Sequence, residues 1–286
     1  MENKHIPGVL KMHAPSAPAA PVVFDSPHSG TDYPDDFRFA IDKKILRKGE
    51  DTYIHELYDA APGCGATLIE ALFPRAYIDP NRPEDDIDQE LMDDAWPDAL
   101  NPSIKSRSGI GLIWRLAPPI APIYDRKLTV AEVQNRIAAY HRPYFDVLTQ
   151  AIEDAKAQFG QVWHINCHSM PNMSDQRSPE APGTERPDFC LGDRDQTTCD
   201  PAFTHYVKEF LEGFGYKVNV NDPYKGVELV KRYGRPGDGF HSLQIEVNRR
   251  LHLNEDTKEK NELYGTLHDH ITQMIEAICA YAKKNT

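Results

Sequence analysis

Short apolar runs alternate with helical runs along this chain of 286 residues, and the alternation constrains the fold more than any other feature. The apolar runs hold four to seven residues and are rich in β-branched and aromatic side chains, which is typical of buried strands. Strands are predicted at residues 21–26, 66–72, 76–79, 110–115, 161–167, 216–220 and 242–247. Strands that alternate with helices favour an α/β fold with a mixed, mostly parallel central sheet flanked by helices.

The helical runs have apolar residues at spacings of three and four. Helices are predicted at residues 43–61, 129–159, 201–214 and 256–284. The second has the clearest boundaries, because Thr129 and Glu132 are spaced as a capping box and Gly160 follows its last residue. Pro143 removes a backbone donor inside this helix, so we expect a break near residues 141–143.

No internal repeat and no linker divides the chain, so residues 1–286 are predicted to form a single domain. Residues 1–20, which are rich in proline, are expected to be an irregular N-terminal extension. The polar stretch 171–187 is expected to be a long surface loop, and loops of that length often cover active sites.

The charge of the chain excludes several classes of partner. Its 44 acidic residues outnumber its 32 basic residues, for a net charge of -12, which disfavours nucleic acids and anionic membrane surfaces. No apolar run is long enough for a membrane-spanning helix, and the N-terminal residues lack the apolar core of a signal peptide. The five cysteines include no CxxC pair, so neither a disulfide framework nor a structural zinc site is indicated. A reducing, cytoplasmic location is the simplest expectation.

Two histidines follow predicted strands at the point where each strand gives way to a loop. His28 stands in SPHSG and His168 in NCHSM. The carboxyl ends of parallel strands meet at one edge of a sheet, and two histidines with one carboxylate there would form a catalytic zinc site. Each histidine taken alone is more often a surface residue or a local hydrogen-bond donor. Their long-range spacing is also less specific than an HExxH motif.

Acidic residues are abundant, so any one of them is weak evidence for a site, but Glu246 differs from most in its surroundings. Glu246 lies in LQIEV, where an unpaired carboxylate would be costly to bury. It would serve there as a general base. The alternative is a half-exposed strand on which Gln244 and Glu246 both face water. Asp51 and Glu56 lie on the predicted helix between the two histidines, where most acids are simply solvated.

The segment RAYIDPNRPEDDID carries two arginines of interest. Arg82 follows a Pro-Asn turn, and an arginine fixed on a tight turn suits bidentate binding of a carboxylate. Arg75 precedes it and could polarise a substrate carbonyl from the other side. The alternative for Arg82 is an ion pair with its acidic neighbours Glu84, Asp85 and Asp86.

Other catalytic motifs are missing or weak. The chain has no GxSxG elbow and no Walker loop. The glycine-rich run GRPGDG at residues 234–239 precedes a predicted strand, so it offers no helix N-terminus to a phosphate. Cys167 would suggest a thiol nucleophile beside His168, but a cysteine at a strand end is more often a small buried apolar residue.

The order of the segments SPHSG, DPNR, NCHSM and LQIEVNRR resembles the N-formylglutamate amidohydrolase family, the deformylases of histidine breakdown. The resemblance extends from about residue 22 to about residue 253, and includes DFCLGDRDQTTC at 188–199 and PYKGVELVKRYGRP at 223–236. The family is similar in fold to the zinc carboxypeptidases and aspartoacylases. The resemblance therefore implies a zinc-exopeptidase-like arrangement of the sheet.

The resemblance also implies one zinc ion per chain, or another divalent metal, with His28 and His168 as ligands. Carboxypeptidases and aspartoacylases place their acidic ligand three residues after the first histidine, where this chain has a threonine. Asp51 is the preferred acidic ligand, because family members carry an aspartate at that point of the following helix. The alternatives are Asp32 and Glu56.

Six further residues receive roles from the resemblance. Glu246 would be the general base that activates water and then protonates the leaving amine, and Arg75 would polarise the scissile carbonyl. The residues implied to hold the carboxylates of the substrate are Asn81, Arg82, Arg232 and Arg235.

The activity implied is metal-dependent hydrolysis of N-formyl-L-glutamate to formate and L-glutamate. The substrate would be a small dianionic N-acyl amino acid, so an acidic protein must concentrate a few arginines around it. One alternative is a related zinc amidase or carboxypeptidase-like hydrolase that acts on another N-acyl amino acid. The other is a non-catalytic binding protein of the same fold, against which the presence of His28, His168, Glu246 and Arg82 argues.

Overall fold

A computed structural model of the chain describes residues 2–176, 178 and 180–286. The strands are β1 (Lys4–Ile6), β2 (Leu10–His13), β3 (Val22–Ser26), β4 (Thr67–Ala71), β5 (Leu116–Ala117), β6 (Ala121–Pro122), β7 (Val162–Met170), β8 (Phe189–Gly192), β9 (Val218–Val220) and β10 (Phe240–Asn248). The helices are α1 (Lys43–Leu46), α2 (Ile54–Leu57), α3 (Ile104–Arg107), α4 (Val130–Arg136), α5 (Arg142–Phe159), α6 (Pro201–Glu212), α7 (Glu228–Tyr233) and α8 (Tyr264–Lys284).

Eight strands form one mixed sheet in the order β1-β2-β4-β3-β7-β10-β8-β9. The four central strands β4, β3, β7 and β10 are parallel, and antiparallel pairings occur on both sides of them. Two apolar cores cover the two faces, one with α4 and α5 and the other with α6 and α8. Every residue of β7 is buried, as expected for a strand covered on both faces. The predicted α/β fold class is confirmed.

The longest helical run forms as its sequence signals predict. Thr129 and Glu132 make both bonds of the capping box at the start of α4, and Gly160 follows α5 with a φ of 80°. Between α4 and α5 the residues Ile137–His141 form a single π-helical turn, which ends two residues before Pro143. The expected break is therefore a local widening, which accommodates the proline without ending the helix.

The helix predicted at 43–61 is wrong, because the chain breaks into two short helices with Asp51 between them. The backbone N–H of Asp51 donates to the carbonyl of His28 at 3.0 Å, and Tyr53 has a left-handed backbone with a φ of 67°. Gly49 lies against the Trp114 ring so closely that a Cβ would be only 2.6 Å from it. These contacts turn Asp51 inward, where a continuous helix would leave it solvated.

The two strands predicted at residues 76–79 and 110–115 do not form. Residues 76–79 and 110–115 form turns that are connected by the bond from the Asp79 N–H to the Leu112 carbonyl at 2.7 Å. Their apolar side chains, among them Ile78, Leu112 and Ile113, fill the core beneath β4 and α5. Short apolar runs can thus be buried in a loop without entering the sheet.

The expectation of an irregular N-terminal extension is wrong for β1 and β2. Leu10 pairs with Ala71, so β2 extends the sheet beyond β4, and β1 adds an edge strand. Leu10 and Met12 point into the core while the residues beside them stay more exposed. An alternation of only four residues is too short to predict a strand with any specificity.

Within the described residues, no helix has the length and apolar character needed to cross a membrane.

Candidate active site

The two strand-end histidines and one aspartate meet at the carboxyl edge of the sheet. Asp51 Oδ2 lies 3.3 Å from His28 Nδ1 and 3.0 Å from His168 Nδ1. All three side chains are buried, at 1–3% exposure. Within the described residues, the ligand atoms of these three side chains are close enough together to hold one metal ion.

The other nitrogen of each histidine is held by a neighbour. His28 Nε2 lies 2.7 Å from Asp79 Oδ1, and His168 Nε2 lies 2.7 Å from Asn166 Oδ1. Asp79 Oδ1 and Asn166 Oδ1 are both acceptors, which favours a hydrogen on each Nε2 and leaves each Nδ1 on the side of Asp51. Metal-binding histidines are commonly oriented in this way.

One atom of this group has no hydrogen bond among the described residues. His28 Nδ1 is buried and faces Asp51, but the direction of the contact does not suit a hydrogen bond. Buried polar atoms without partners are rare in proteins, and each calls for an explanation. Two imidazole nitrogens and a carboxylate oxygen form a donor set typical of zinc, and a divalent metal would satisfy this nitrogen.

The second oxygen of Asp51 is held by residues that sequence reasoning missed. Arg249 and Ser169 each donate to Asp51 Oδ1 at 3.1 Å. Burial alone would raise the pKa of Asp51, but contacts with His168, His28 and nearby arginine outweigh burial and hold the pKa well below its ordinary value. The carboxylate is therefore ionised, which is the form that could bind a cation. The signal for Arg249 was its place in the segment LQIEVNRR.

Glu246 lies beside this group on the neighbouring strand. Parallel pairing sets it opposite His168, and Gln244 Nε2 donates to its Oε1 at 2.9 Å. Gln244 is 4% exposed and Glu246 is 8% exposed, so the half-exposed strand considered as an alternative is wrong. Burial and the nearby Asp51 charge raise the pKa of Glu246, although His168 opposes this effect. A carboxylate with a raised pKa is suited to accept a proton.

Arg75 reaches the group through Asp79, another residue that sequence reasoning missed. It donates to Asp79 Oδ2 from Nε at 3.2 Å and from a terminal nitrogen at 2.9 Å. Its guanidinium stacks over the Trp114 ring at 4.9 Å and lies 4.0 Å from Asp51 Oδ2. Asp79 thus connects His28 to Arg75, which lies beside both Asp79 and Asp51.

A family model described as N-formylglutamate amidohydrolase matches residues 20–253, a span that includes every residue of this site. The chain belongs to the N-formylglutamate amidohydrolase family. The crystal structure of N-formylglutamate amidohydrolase from Ralstonia eutropha JMP134 is 47% identical to it, with a TM-score of 0.94, over 98% of this chain and 100% of that one. The enzyme is a hydrolase that acts on an amide bond.

Two curated relatives of this amidohydrolase carry the name N-formylglutamate deformylase. The protein from Pseudomonas aeruginosa is 24% identical over 280 residues, which cover 92% of this chain and 94% of that one. The protein from Pseudomonas putida is 25% identical over 243 residues, 82% of each chain. A protein from Agrobacterium tumefaciens with 19% identity and a TM-score of 0.60 shares the fold.

The Asn-Arg turn of the amidohydrolase lies beside the group formed by His28, Asp51 and His168. The Asn81 amide nitrogen lies 3.1 Å from His168 Nε2 and donates to Asn166 Oδ1 at 3.5 Å, and the Asn81 oxygen accepts from the Leu229 N–H at 3.0 Å at the start of α7. The Asn81 amide is therefore already engaged inside the protein. This geometry suits positioning of His168 and α7 as well as the predicted contact with substrate.

Arg82 makes no ion pair with its acidic neighbours in the part of the chain that the structure describes. Its guanidinium donates to two backbone carbonyls, those of Asn81 at 2.8 Å and Ile110 at 3.4 Å. Glu84 instead pairs with Arg142 at 2.8 Å. The ion-pair alternative is therefore wrong for Arg82.

The structure separates the two arginines predicted for the second carboxylate. Arg232 pairs with Glu228 at 2.8 Å and lines an open cavity of about 510 Å³ beside Pro83. Arg235 pairs in the backbone with Phe240, the first residue of β10, six residues before Glu246. Six residues of strand span about 20 Å, so Arg235 lies at the opposite edge of the sheet and its predicted role is wrong.

Glu56 and Asp32, the alternative metal ligands, lie outside the site. Cys167, the alternative nucleophile, is inert. Glu56 is partly exposed and pairs with Lys260, and Asp32 is exposed, so neither joins the two histidines. Cys167 is buried, and burial raises the pKa of its thiol well above the ordinary value. A neutral buried thiol is inert, which agrees with the prediction of a small apolar residue.

Proposed function

We propose that this amidohydrolase hydrolyses N-formyl-L-glutamate to formate and L-glutamate, with one zinc ion held by His28, Asp51 and His168. The observation that carries the metal part is the buried His28 Nδ1, which faces Asp51 without a hydrogen bond among the described residues. The names of the relatives support the substrate. Another divalent metal with the same preference for nitrogen and oxygen is compatible with this donor set.

Zinc supplies Lewis acidity when bound, which polarises a carbonyl and lowers the pKa of water to about 7. The protein contributes Glu246, whose raised pKa and position opposite His168 suit it to take a proton from the attacking water. Glu246 then returns that proton to the leaving amine nitrogen. The nitrogen becomes the amino group of glutamate, and the formyl carbon leaves as formate.

Arginines complete the proposal. Arg75 is held by Asp79 and stabilises the negative charge that develops on the formyl oxygen, a contribution of about 3–4 kcal/mol in comparable enzymes. Arg82 binds one carboxylate of the substrate, with Asn81 beside it. Arg232 remains a candidate for the second carboxylate. A role in histidine breakdown and a cytoplasmic location are parts of the same proposal, and the free cysteines of the described chain favour a reducing compartment.

A formate-release assay tests the proposal. The enzyme is offered N-formyl-L-glutamate, N-formyl-L-aspartate, N-formyl-L-leucine and N-acetyl-L-glutamate, before and after treatment with a chelator. We expect formate from the first substrate with the highest kcat/KM, loss of activity after chelation, and recovery with zinc. Turnover that is unaffected by complete metal removal would overturn the metal part. Preference for N-formyl-L-leucine would overturn the dianionic substrate.

A matched variant, Glu246→Gln, tests the role of Glu246 in the same assay. It keeps the size of the side chain and leaves the three proposed metal-binding residues intact. We expect a fall in kcat of at least about 10²-fold with zinc content unchanged, because the proton acceptor is gone. Near-normal turnover in this variant would remove Glu246 from the mechanism.

A further inference from the structure

A further buried aspartate, Asp25, lies on the Nε2 side of His168, beyond Asn166. Asp25 is the fourth residue of β3 and is fully buried. Its Oδ1 accepts from Asn166 Nδ2 at 2.9 Å and contacts His164 Nε2 at 2.8 Å, and its Oδ2 accepts from the Tyr144 hydroxyl at 2.8 Å. None of these residues has a role in the proposed reaction.

A row of hydroxyl, imidazole and carboxylate groups here resembles a nucleophilic triad. Ser242 Oγ lies 2.7 Å from His164 Nδ1, and His164 Nε2 lies 2.8 Å from Asp25. All three residues are 0% exposed, so no substrate reaches the hydroxyl. An effect of Ser242, His164 and Asp25 on the reaction must therefore pass through other residues of the protein.

The path from Asp25 to the site runs through one amide. Asn166 directs its nitrogen at Asp25 and its oxygen at His168 Nε2, which lies 2.7 Å away. A carboxylate only accepts hydrogen bonds, so the nitrogen of Asn166 must face Asp25. The amide oxygen then faces His168, and a contact of 2.7 Å with an acceptor requires a hydrogen on Nε2.

Asn81 provides a check on this assignment, because its Nδ2 lies 3.1 Å from the same His168 Nε2. The amide of Asn81 is oriented independently, by the Leu229 N–H that its oxygen accepts. Its nitrogen therefore brings only donors toward His168, and these can bond Asn166 Oδ1 at 3.5 Å. Asn81 is thus a second donor near His168 Nε2, and the shorter contact, 2.7 Å to Asn166 Oδ1, favours a hydrogen on Nε2.

Asp25 keeps its charge despite complete burial. Burial alone would raise its pKa, but His164, Asn166 and Tyr144 together lower the pKa below its ordinary value. An ionised Asp25 has no proton to offer to Asn166, so the amide has one favourable orientation.

We propose that Asp25 is a positioning residue that, through Asn166, holds a hydrogen on His168 Nε2 and so directs Nδ1 toward Asp51 and the proposed metal. The inference rests on the proposed metal site. It assigns a function to the buried Ser242–His164–Asp25 row, which would otherwise be an isolated polar cluster in the core. The tautomer requirement is physical, since a nitrogen that carries a hydrogen cannot be a ligand.

The test compares Asp25→Asn with Tyr144→Phe. Asp25→Asn gives residue 25 donors as well as an acceptor, so Asn166 can turn its nitrogen toward His168. Tyr144→Phe also weakens the cluster, but it leaves Oδ1 of Asp25 ionised and facing Asn166. We expect zinc affinity, measured by competition with a chromogenic chelator, to fall about 10–100-fold in Asp25→Asn and to stay within about twofold in Tyr144→Phe.

The wild-type protein supplies a second measurement that does not depend on folding of a variant or on turnover. Nitrogen-15 NMR of the histidine side chains in the metal-free enzyme should show a proton on His168 Nε2, and Asp25→Asn should reduce its occupancy. An unprotonated Nε2 in the wild type would overturn the proposal, as would equal losses of zinc affinity in the two variants. If zinc fails to bind the wild type at all while Nε2 is protonated, the proposed metal site fails and the tautomer assignment stands.

Discussion

Two fully buried aspartates each lie beside a histidine of β7, and their surroundings differ in one respect. Both oxygens of Asp25 are hydrogen-bonded within the protein, by His164, Asn166 and Tyr144. Asp51 is also hydrogen-bonded on both oxygens, by Arg249 and Ser169 on one and by His168 on the other, but His28 Nδ1, which faces it, has no hydrogen bond in the described structure. A buried aspartate beside histidine is therefore no signature of a metal site. The nitrogen without a partner distinguishes the two regions.

The two regions also depend on each other. Both carboxyls have lowered pKa values, so both are ionised at neutral pH. Asp51 lies on the Nδ1 side of His168 and Asn166 lies on the Nε2 side. One region is complete without a metal, and the other has the donor set that the proposed metal would complete.

The largest expected difference between the regions is in metal binding. His168→Ala should lower zinc affinity by more than the 10–100-fold that is typical of outer contacts, because it removes a ligand. His205→Ala, which alters an exposed histidine on α6, is the control and should bind zinc like the wild type. Zinc content measured by mass spectrometry after dialysis decides the outcome. Full occupancy in His168→Ala would remove the distinction between the two aspartates.

The next largest effect is the gain in stability on metal binding. Zinc at about 100 times its Kd should raise the free energy of unfolding by about 2.7 kcal/mol, because it binds only the folded chain. Asp51→Asn should lose most of this gain at the same zinc concentration. Denaturant titrations with and without zinc measure it. A gain of the same size in Asp51→Asn would show that zinc acts elsewhere.

A smaller difference between Asp25 and Asp51 is expected in how much their hydrogen-bond donors stabilise the metal-free protein. Tyr144→Phe removes the hydroxyl that donates to Oδ2 of Asp25, so an ionised oxygen is left buried, at a cost of about 1–3 kcal/mol. Ser169→Ala removes one donor from Asp51, but Arg249 still donates to the same oxygen. We expect Ser169→Ala to cost less than Tyr144→Phe in urea unfolding. The reverse order would contradict the view that the Asp25 region is the self-contained one.

The smallest expected effect is the pH dependence of the difference in unfolding free energy between the wild type and Tyr144→Phe. The pKa of Asp25 is lowered in the folded protein, so stability gained from its ionised form is present above the unfolded pKa of about 3.9. That contribution disappears as the pH falls through the lower folded pKa. The stability difference between wild type and Tyr144→Phe should therefore be constant near neutral pH and shrink below about pH 4. A difference that grows on acidification would show that Asp25 is neutral when folded.

Sequence patterns predicted the parts of the site that depend on local structure. Apolar runs located β3, β7 and β10, and the shared edge of parallel strands explains why His28, His168 and Glu246 converge. The capping box and Gly160 located the ends of the longest helical run. The helix expected at 43–61 failed, because burial of Asp51 outweighs the local preference for helix.

The amino-acid sequence by itself determined the fold class, the strand-end residues and the family. Tertiary structure alone decided which acid faces the histidines and that Arg235 lies at the wrong edge. It also decided the roles of Asp79, Arg249 and Asp25. The physical reason is that a strand or a cap depends on neighbours in sequence, whereas Asp25 meets its partner His164 across 139 residues. A hydrogen bond over that separation leaves no periodic or local pattern in the chain.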